Sequence, residues 1–292
     1  MASLLRMLAK GGVLQSFNMS SKSSQYLIIG AGAFGASTAL HLSRKEPSSS
    51  IVLIDRSPYP CPIAASNDIN KIVRADYADL FYCRVALKAL HVWRNDPLFQ
   101  PYYHQSGVLS IYASKSQRVR MMLENFRTCG VNPEAEVISP IDMKRRFGGV
   151  YAEATFYGHE EILWDPISGW AEATKALKHT IEAATANGVQ YISASVAKLI
   201  LEDGSCTGVE TEDGSIYTAA RTILSTGAGT AKLLADSAPK QPAVQVSGRI
   251  IAGGIPTAAV NLSTQQIEKY KDTPVLFIEA DELQGSVFYL TL

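Results

Sequence analysis

The chain has 292 residues, 47% hydrophobic and 18% charged, which is enough apolar material for one large or two interleaved domains and too much for global disorder. Lys plus Arg and Asp plus Glu both number 27, so the chain carries neither the basic stripe of a nucleic-acid binder nor the acidic excess of a solvating tail. Four cysteines, Cys61, Cys83, Cys129 and Cys206, share no C-x-x-C spacing and read as reduced thiols, neither a disulfide framework nor a metal site.

No Asp or Glu precedes Glu46, while Arg6, Lys10 and Lys22 lie among Leu, Ala and Ser. Residues 1–24 are expected to be a disordered extension, with a mitochondrial transit peptide as the competing reading. The longest apolar stretch, Tyr26 to Leu42, is interrupted by Gly30, Gly32, Gly35, Ser37, Thr38 and His41, so no membrane span is expected.

Tyr26-Leu-Ile-Ile29 is a short apolar run that suits a buried parallel strand. Gly30-Ala-Gly-Ala-Phe-Gly35 follows. Ala36 to Lys45 then has apolar residues at helical spacing and closes on Arg44-Lys45, cations that complement a helix C-terminus. After Glu46-Pro-Ser-Ser-Ser50, Ile51-Val-Leu-Ile54 is a second strand closed by Asp55. This is a βαβ unit with G-x-G-x-x-G in its turn. The first glycine permits the tight turn, the second admits a pyrophosphate, and the third lets helix and strand pack closely. Free N–H groups at the helix start face the phosphates, and Asp55 can accept from the adenosine ribose hydroxyls. The unit binds an adenine dinucleotide in this reading; NAD and FAD both use it.

Further on, Ser168-Gly-Trp170 is expected to open a helix reaching Asn187, with Trp170, Ala173, Leu177, Ile181 and Ala184 on one face and Gly188 past its end. Val189 to Ile192 reads as a strand. Three short strands follow, punctuated by Asp203-Gly204 and Asp213-Gly214, and Arg221 to Leu224 reads as a further strand running into Ser225-Thr-Gly-Ala-Gly229. A plain NAD dehydrogenase would continue with βα units directly after Asp55. The long interruption favours a flavoprotein with a substrate domain spliced into its nucleotide domain, and the Thr226–Gly229 turn would add backbone contacts to the cofactor. Between the halves, Ala64 to Arg74 is a polar cluster in which Lys71 stands out, because a buried ammonium beside a flavin stabilises developing negative charge.

Three segments carry a resemblance. Tyr26 to Gly35, Asp55 to Lys71 with its Asn67-Asp-Ile-Asn-Lys71, and Trp93-Arg-Asn-Asp-Pro-Leu-Phe-Gln-Pro-Tyr-Tyr-His104 resemble the fungal fructosyl-amine oxidases (amadoriases) and the related sarcosine, pipecolate and saccharopine oxidases. Gly169-Trp170 and Arg221 to Gly229 also fit. The resemblance implies FAD as cofactor, a secondary amine or N-substituted amino acid as substrate, O2 as oxidant and H2O2 as product. It implies a cofactor-binding set of Gly30, Gly32, Ala33, Phe34, Gly35, Asp55, Arg56, Asn67, Lys71, Val196, Thr226 and Gly227, with Lys71 also catalytic and Val196 on the adenine side. It implies a monomer in the cytosol or peroxisome, although Tyr-Leu-Thr-Leu at the end is not a peroxisomal address.

The expected architecture is α/β: a Rossmann-like FAD-binding domain from residues 25–75 and 160–238, and a mostly antiparallel β-sheet substrate domain from 76–159 and 239–292. The family's second active-site lysine and its flavin-linking cysteine find no match here, and Leu283 to Leu292 departs from the pattern. A truncated member is therefore expected, with weakened folding, FAD binding or turnover. An inactive remnant that keeps at most nucleotide binding is the alternative to an oxidase. His104, His159, Trp93, Trp164 and Trp170 read as structural.

Overall fold

A computed structural model describes residues 22–112, 117–131, 134–155, 161–254, 258–279 and 284–287. The chain opens with strand β1 (Lys22–Ile29), helix α1 (Ala33–Lys45) and strand β2 (Ile51–Asp55). β1 begins inside the stretch expected to be a disordered extension, because the backbone of Lys22 to Ser24 pairs with Tyr217 to Ala219. Strand β3 (Lys71–Val73) leads to helix α2 (Leu80–Asn95), whose first N–H groups are capped by the Asp79 carboxylate. Strands β4 (Tyr103–His104) and β5 (Val108–Tyr112), helix α3 (Gln117–Thr128), strand β6 (Glu136–Ile138), helix α4 (Pro140–Arg145) and strand β7 (Glu161–Asp165) follow.

Strand β8 (Gly169–Ala171) precedes helix α5 (Ala173–Ala186) and strand β9 (Gln190–Ser193). The helix expected from Ser168 thus begins later, and Trp170 is not on its face. Residues 169–171 pair with β3 on one side and β4 on the other, and the backbone cannot serve both a ladder and a helix. Gly188, at φ +95°, takes the left-handed position that ends α5.

A meander of β10 (Val196–Glu202), β11 (Ser205–Thr211) and β12 (Ile216–Leu224) then turns at the expected Asp-Gly pairs. Arg221 to Leu224 is not a separate strand. It is the second half of β12, which pairs antiparallel with β11 through Ile216 to Thr218 and parallel with β1 as far as Leu224. Helix α6 (Thr230–Ser237), helix α7 (Thr264–Tyr270) and strands β13 (Val275–Glu279) and β14 (Gln284–Val287) complete the chain.

The six-stranded sheet runs β10-β11-β12-β1-β2-β9. Its central strands are parallel and apolar on both faces. Tyr26 and Ile28 of β1 pack with Ala36, Ala39 and Leu40 of α1 and Leu177, Ile181 and Ala184 of α5. Leu27 and Ile29 point the other way, onto Val52, Ile54, Leu199, Val209 and Leu233. A sheet covered on both faces needs this continuous apolar run.

A five-stranded sheet, β14-β13-β5-β7-β6, is antiparallel except for the β13–β5 pair. A third sheet, β3-β8-β4, lies between them in sequence. Arg74, just after β3, bonds the fully buried Asp76 at 2.9 Å and lies over the rings of Tyr77 and Phe277, while Ser110 of β5 donates to the same carboxylate at 2.6 Å. Burial works against the Arg74 charge, but Asp76 together with Tyr112 and Tyr77 outweighs it and raises the guanidinium above its ordinary range.

Candidate functional site: a dinucleotide cradle

The carboxyl ends of β1, β2 and β12 meet at one edge of the six-stranded sheet. Gly30 turns there at φ +96°, and its N–H donates to Ile54 O at 2.8 Å. Ser225 N donates to Ile29 O at 2.8 Å, so the turn is held by a strand on each side. The three glycines divide the work unequally. A Cβ on Gly30 would stand 2.4 Å from Ser225 O, and one on Gly35 would stand 1.7 Å from Gly30 O. These two are close-packing positions. A Cβ on Gly32 would meet one neighbour, Ser66 Oγ, at 3.3 Å. Gly32 caps α1 with no side-chain partner, and the first turn carries no acid. The helix start therefore offers N–H groups and a positive dipole end with no protein anion to take them. Ala33 and Phe34 are exposed on that turn, Phe34 at 84%.

Asp55 ends β2 beside the turn. Its Oδ2 accepts from Ala31 N–H at 2.7 Å, while Oδ1 is sealed from solvent with no partner. A buried carboxylate oxygen without a donor is costly, and a hydroxyl-bearing ligand at this edge supplies one. Ala194 N donates to Asp55 O at 2.7 Å, which brings the backbone just before β10 against the same edge. Val196 opens β10, pairs with Thr211 and packs its half-buried side chain with the cluster containing Val52 and Ile54. Arg56 is exposed, with Nη2 3.4 Å from where a Cβ on Gly229 would sit, so Arg56 and the Thr226–Gly229 turn share a rim. Gly227 turns at φ +52°, and the Thr226 hydroxyl shares a 2.8 Å hydrogen bond with that of Thr230 at the start of α6.

The polar segment after Cys61 lies across this cradle. Asn67 is held by protein at both ends of its amide: its Oδ1 accepts from Thr174 Oγ1 at 2.9 Å and its Nδ2 donates to Pro62 O at 3.1 Å. Thr174 also donates to Asp68 O, through Oγ1 at 2.7 Å and N at 3.0 Å, which fixes the segment to the start of α5. Lys71 is half-exposed at 51% and paired with the Asp68 carboxylate. Its place as first residue of β3, opposite Ala171, is nonetheless set by the ladder.

The residues read as structural have the following surroundings where they are described. Trp170 stacks on the His104 ring at 4.0 Å between centroids, and His104 Nε2 lies 3.2 Å from Glu172 Oε1. Lys175 first, and His104 after it, hold the Glu172 carboxyl below its usual range. Trp93 meets Phe99 edge-on, Trp164 fills the space over Gly107, and His159 lies outside the described residues. The four cysteines are free; burial, with Cys129 beside it, pushes the Cys83 thiol up to about 12. Among the described residues no cluster of His, Cys, Asp and Glu has metal-binding geometry, and no helix is long and apolar enough to cross a membrane.

Two groups in the cradle escaped the sequence reading. Ser225, at the close of β12, is the residue Gly30 and Gly35 pack against. Ser66 faces Gly32, and its Oγ is buried without a partner. The only sequence signal for either was its place beside a residue already singled out, Thr226 or Asn67.

Comparison with known proteins agrees with this cradle. The family model of FAD dependent oxidoreductases matches residues 25–279. L-saccharopine oxidase from Schizosaccharomyces pombe is 29% identical over 266 residues, covering 86% of this chain and 59% of that protein. Human peroxisomal sarcosine oxidase is 25% identical over 154 residues, covering 52% of this chain and 37% of the relative. An Amadoriase I mutant from Aspergillus fumigatus superposes with TM-score 0.67 at 28% identity, covering 91% of this chain and 62% of the other. A modified fructosyl peptide oxidase from Aspergillus nidulans gives 0.68 at 25% identity, covering 89% and 62%. The chain thus spans about three fifths of the length of its leading relatives. The glycine turn, the unpaired Asp55 oxygen and the open helix start fit FAD, and this chain belongs to the FAD-dependent oxidoreductase family.

Proposed function

We propose that the chain is the nucleotide-binding part and a share of the substrate-binding part of an oxidase that acts on the C–N bond of a secondary amine or N-substituted amino acid. The products are an imine, which hydrolyses, and H2O2 from O2. The observation that carries the reading is the juxtaposition at one sheet edge of an uncapped 13-residue helix start, a glycine turn that admits no side chain at Gly30 or Gly35, and a buried carboxylate oxygen lacking a donor.

FAD, when bound, supplies the two-electron acceptor. Gly32 and the N-terminus of α1 hold its pyrophosphate, Asp55 orients the adenosine ribose, and the Ala194–Val196 backbone borders the adenine. Lys71, on a strand tied by Asp68 to the first turn of α5, places an ammonium at the isoalloxazine end. Its role in this reading is to balance negative charge. The substrate side falls to the five-stranded sheet, drawn from residues 76–159 and 239–292 together with β7 (Glu161–Asp165), which lies beyond the expected boundary at 159. Relatives named for saccharopine, sarcosine and fructosyl substrates motivate the substrate class, and two of them carry "peroxisomal" in their names, which places peroxisome beside cytosol as the compartment we propose. A monomer remains the proposed state.

The test is direct. The purified chain is expected to bind FAD with a visible flavin spectrum that survives gel filtration, and to release peroxide from at least one of L-saccharopine, a fructosyl amino acid, sarcosine or pipecolate. Flavin retained without peroxide from any of them overturns the oxidase half of the proposal. Failure to retain FAD overturns the whole.

A further inference from the structure

We propose that Ser66 is a cofactor-positioning residue whose hydroxyl donates a hydrogen bond to the dinucleotide phosphate held at the N-terminus of α1; this rests on the FAD reading above. Three observations converge on it. Ser66 Oγ is sealed from solvent and has no hydrogen-bond partner. It lies 3.3 Å from the place a Cβ on Gly32 would fill, so it overhangs the one glycine of the turn that is not consumed by close packing. Gly32 in turn caps a helix of 13 residues with no side-chain cap and no acid in its first turn.

The hydroxyl is there by construction. The segment is pinned on one side by Ala64 N–H to Cys61 O at 3.1 Å and on the other by the Thr174 bonds to Asp68 O at 2.7 and 3.0 Å. Asn67, the neighbour expected to touch the cofactor, spends Oδ1 on Thr174 and Nδ2 on Pro62. Of these two adjacent polar side chains, Asn67 is turned to Thr174 and Pro62, and the one with no partner at all faces the glycine turn. A serine hydroxyl beside backbone N–H groups gives a phosphate oxygen a further donor, and bonds to a charged acceptor are the stronger kind. Unbound, the same hydroxyl is a small defect that ligand binding repairs.

The test uses Ser66→Ala on the full chain. Dissociation constants for FAD are read by quenching of flavin fluorescence, and those for ADP and adenosine by calorimetry. The expected result is about tenfold weaker binding of FAD and ADP with adenosine unaffected, and a ligand-free melting temperature no lower than that of the unaltered chain, since only an unsatisfied hydroxyl is lost. An unchanged FAD constant overturns the inference while leaving the FAD reading intact. Equal weakening of adenosine also overturns it, because the effect then lies away from the phosphates. If the unaltered chain binds neither FAD nor ADP, the FAD reading fails and this inference fails with it.

Discussion

Asp55 has its two carboxylate oxygens in different circumstances: Oδ2 is bonded to Ala31 N–H and Oδ1 has no donor. Asp55→Asn keeps an acceptor for Ala31 and replaces the other oxygen by a donor. FAD binding is expected to weaken roughly ten- to a hundredfold, the size of a lost hydrogen bond to a charged group, with little change in the melting of the ligand-free chain. Titration of the apo-protein with FAD measures it. Lys71 poses the opposite case. Its ion pair with Asp68 is exposed, and such pairs contribute about 0–1 kcal/mol. Lys71→Met is therefore expected to leave stability within about 1 kcal/mol in urea titrations, while peroxide production falls by at least about tenfold, the loss that the charge-balancing role we propose for it entails. A loss of stability without a loss of rate would make Lys71 a structural residue. The sequence singles out both residues because each sits in a motif. It does not single out Ser66, since its significance depends on a missing partner, and a sequence records no unmade bonds.

At the scale of elements, the sequence told most where local pattern and tertiary demand coincide. The apolar run of β1, the glycine turn and the Asp-Gly hairpin corners announce themselves, because burial on both faces and left-handed backbone restrict composition. β8 and β12 were misread for a common reason. Gly169 to Ala171 looks helical beside α5, and Ile216 to Leu224 looks like two strands, until the partners that claim their N–H and C=O groups are known. Gly35→Ala tests the turn as an element. A methyl placed 1.7 Å from Gly30 O must push β1 and α1 apart, and a loss of about 2–3 kcal/mol in chemical denaturation is expected, as for overpacking of a core. The β11–β12 corner tests pH. The Thr211 hydroxyl first, and Ser215 N–H after it, hold the Asp213 carboxyl below its usual range. A lowered folded value means the ionised form is favoured in the native chain. Its contribution is full above the unfolded value of about 3.9 and is lost as pH falls through the lower folded value. The melting advantage of the unaltered chain over Asp213→Asn should hold steady from about pH 7 to pH 5 and vanish in stronger acid; a constant difference at all pH would assign it to geometry alone.

For the whole molecule, the junction of Arg74, Asp76 and Ser110 ties the segment after β3 to the five-stranded sheet through β5 and the Phe277 ring of β13. Asp76→Ala would strand a largely buried guanidinium, and about 3–5 kcal/mol of destabilisation is expected in equilibrium unfolding, large enough to separate it from the exposed pairs. The order of strands has a different consequence. β1 and β2 leave the ribosome before their outer neighbours, β12 and β9, which are drawn from residues 190–224. During synthesis the leading hairpin-less unit carries Leu27, Ile29, Val52 and Ile54 with both flanks open until those late segments emerge. Nascent chains arrested before residue 190 should therefore be the ones that recruit chaperones, and release past 224 should let them go.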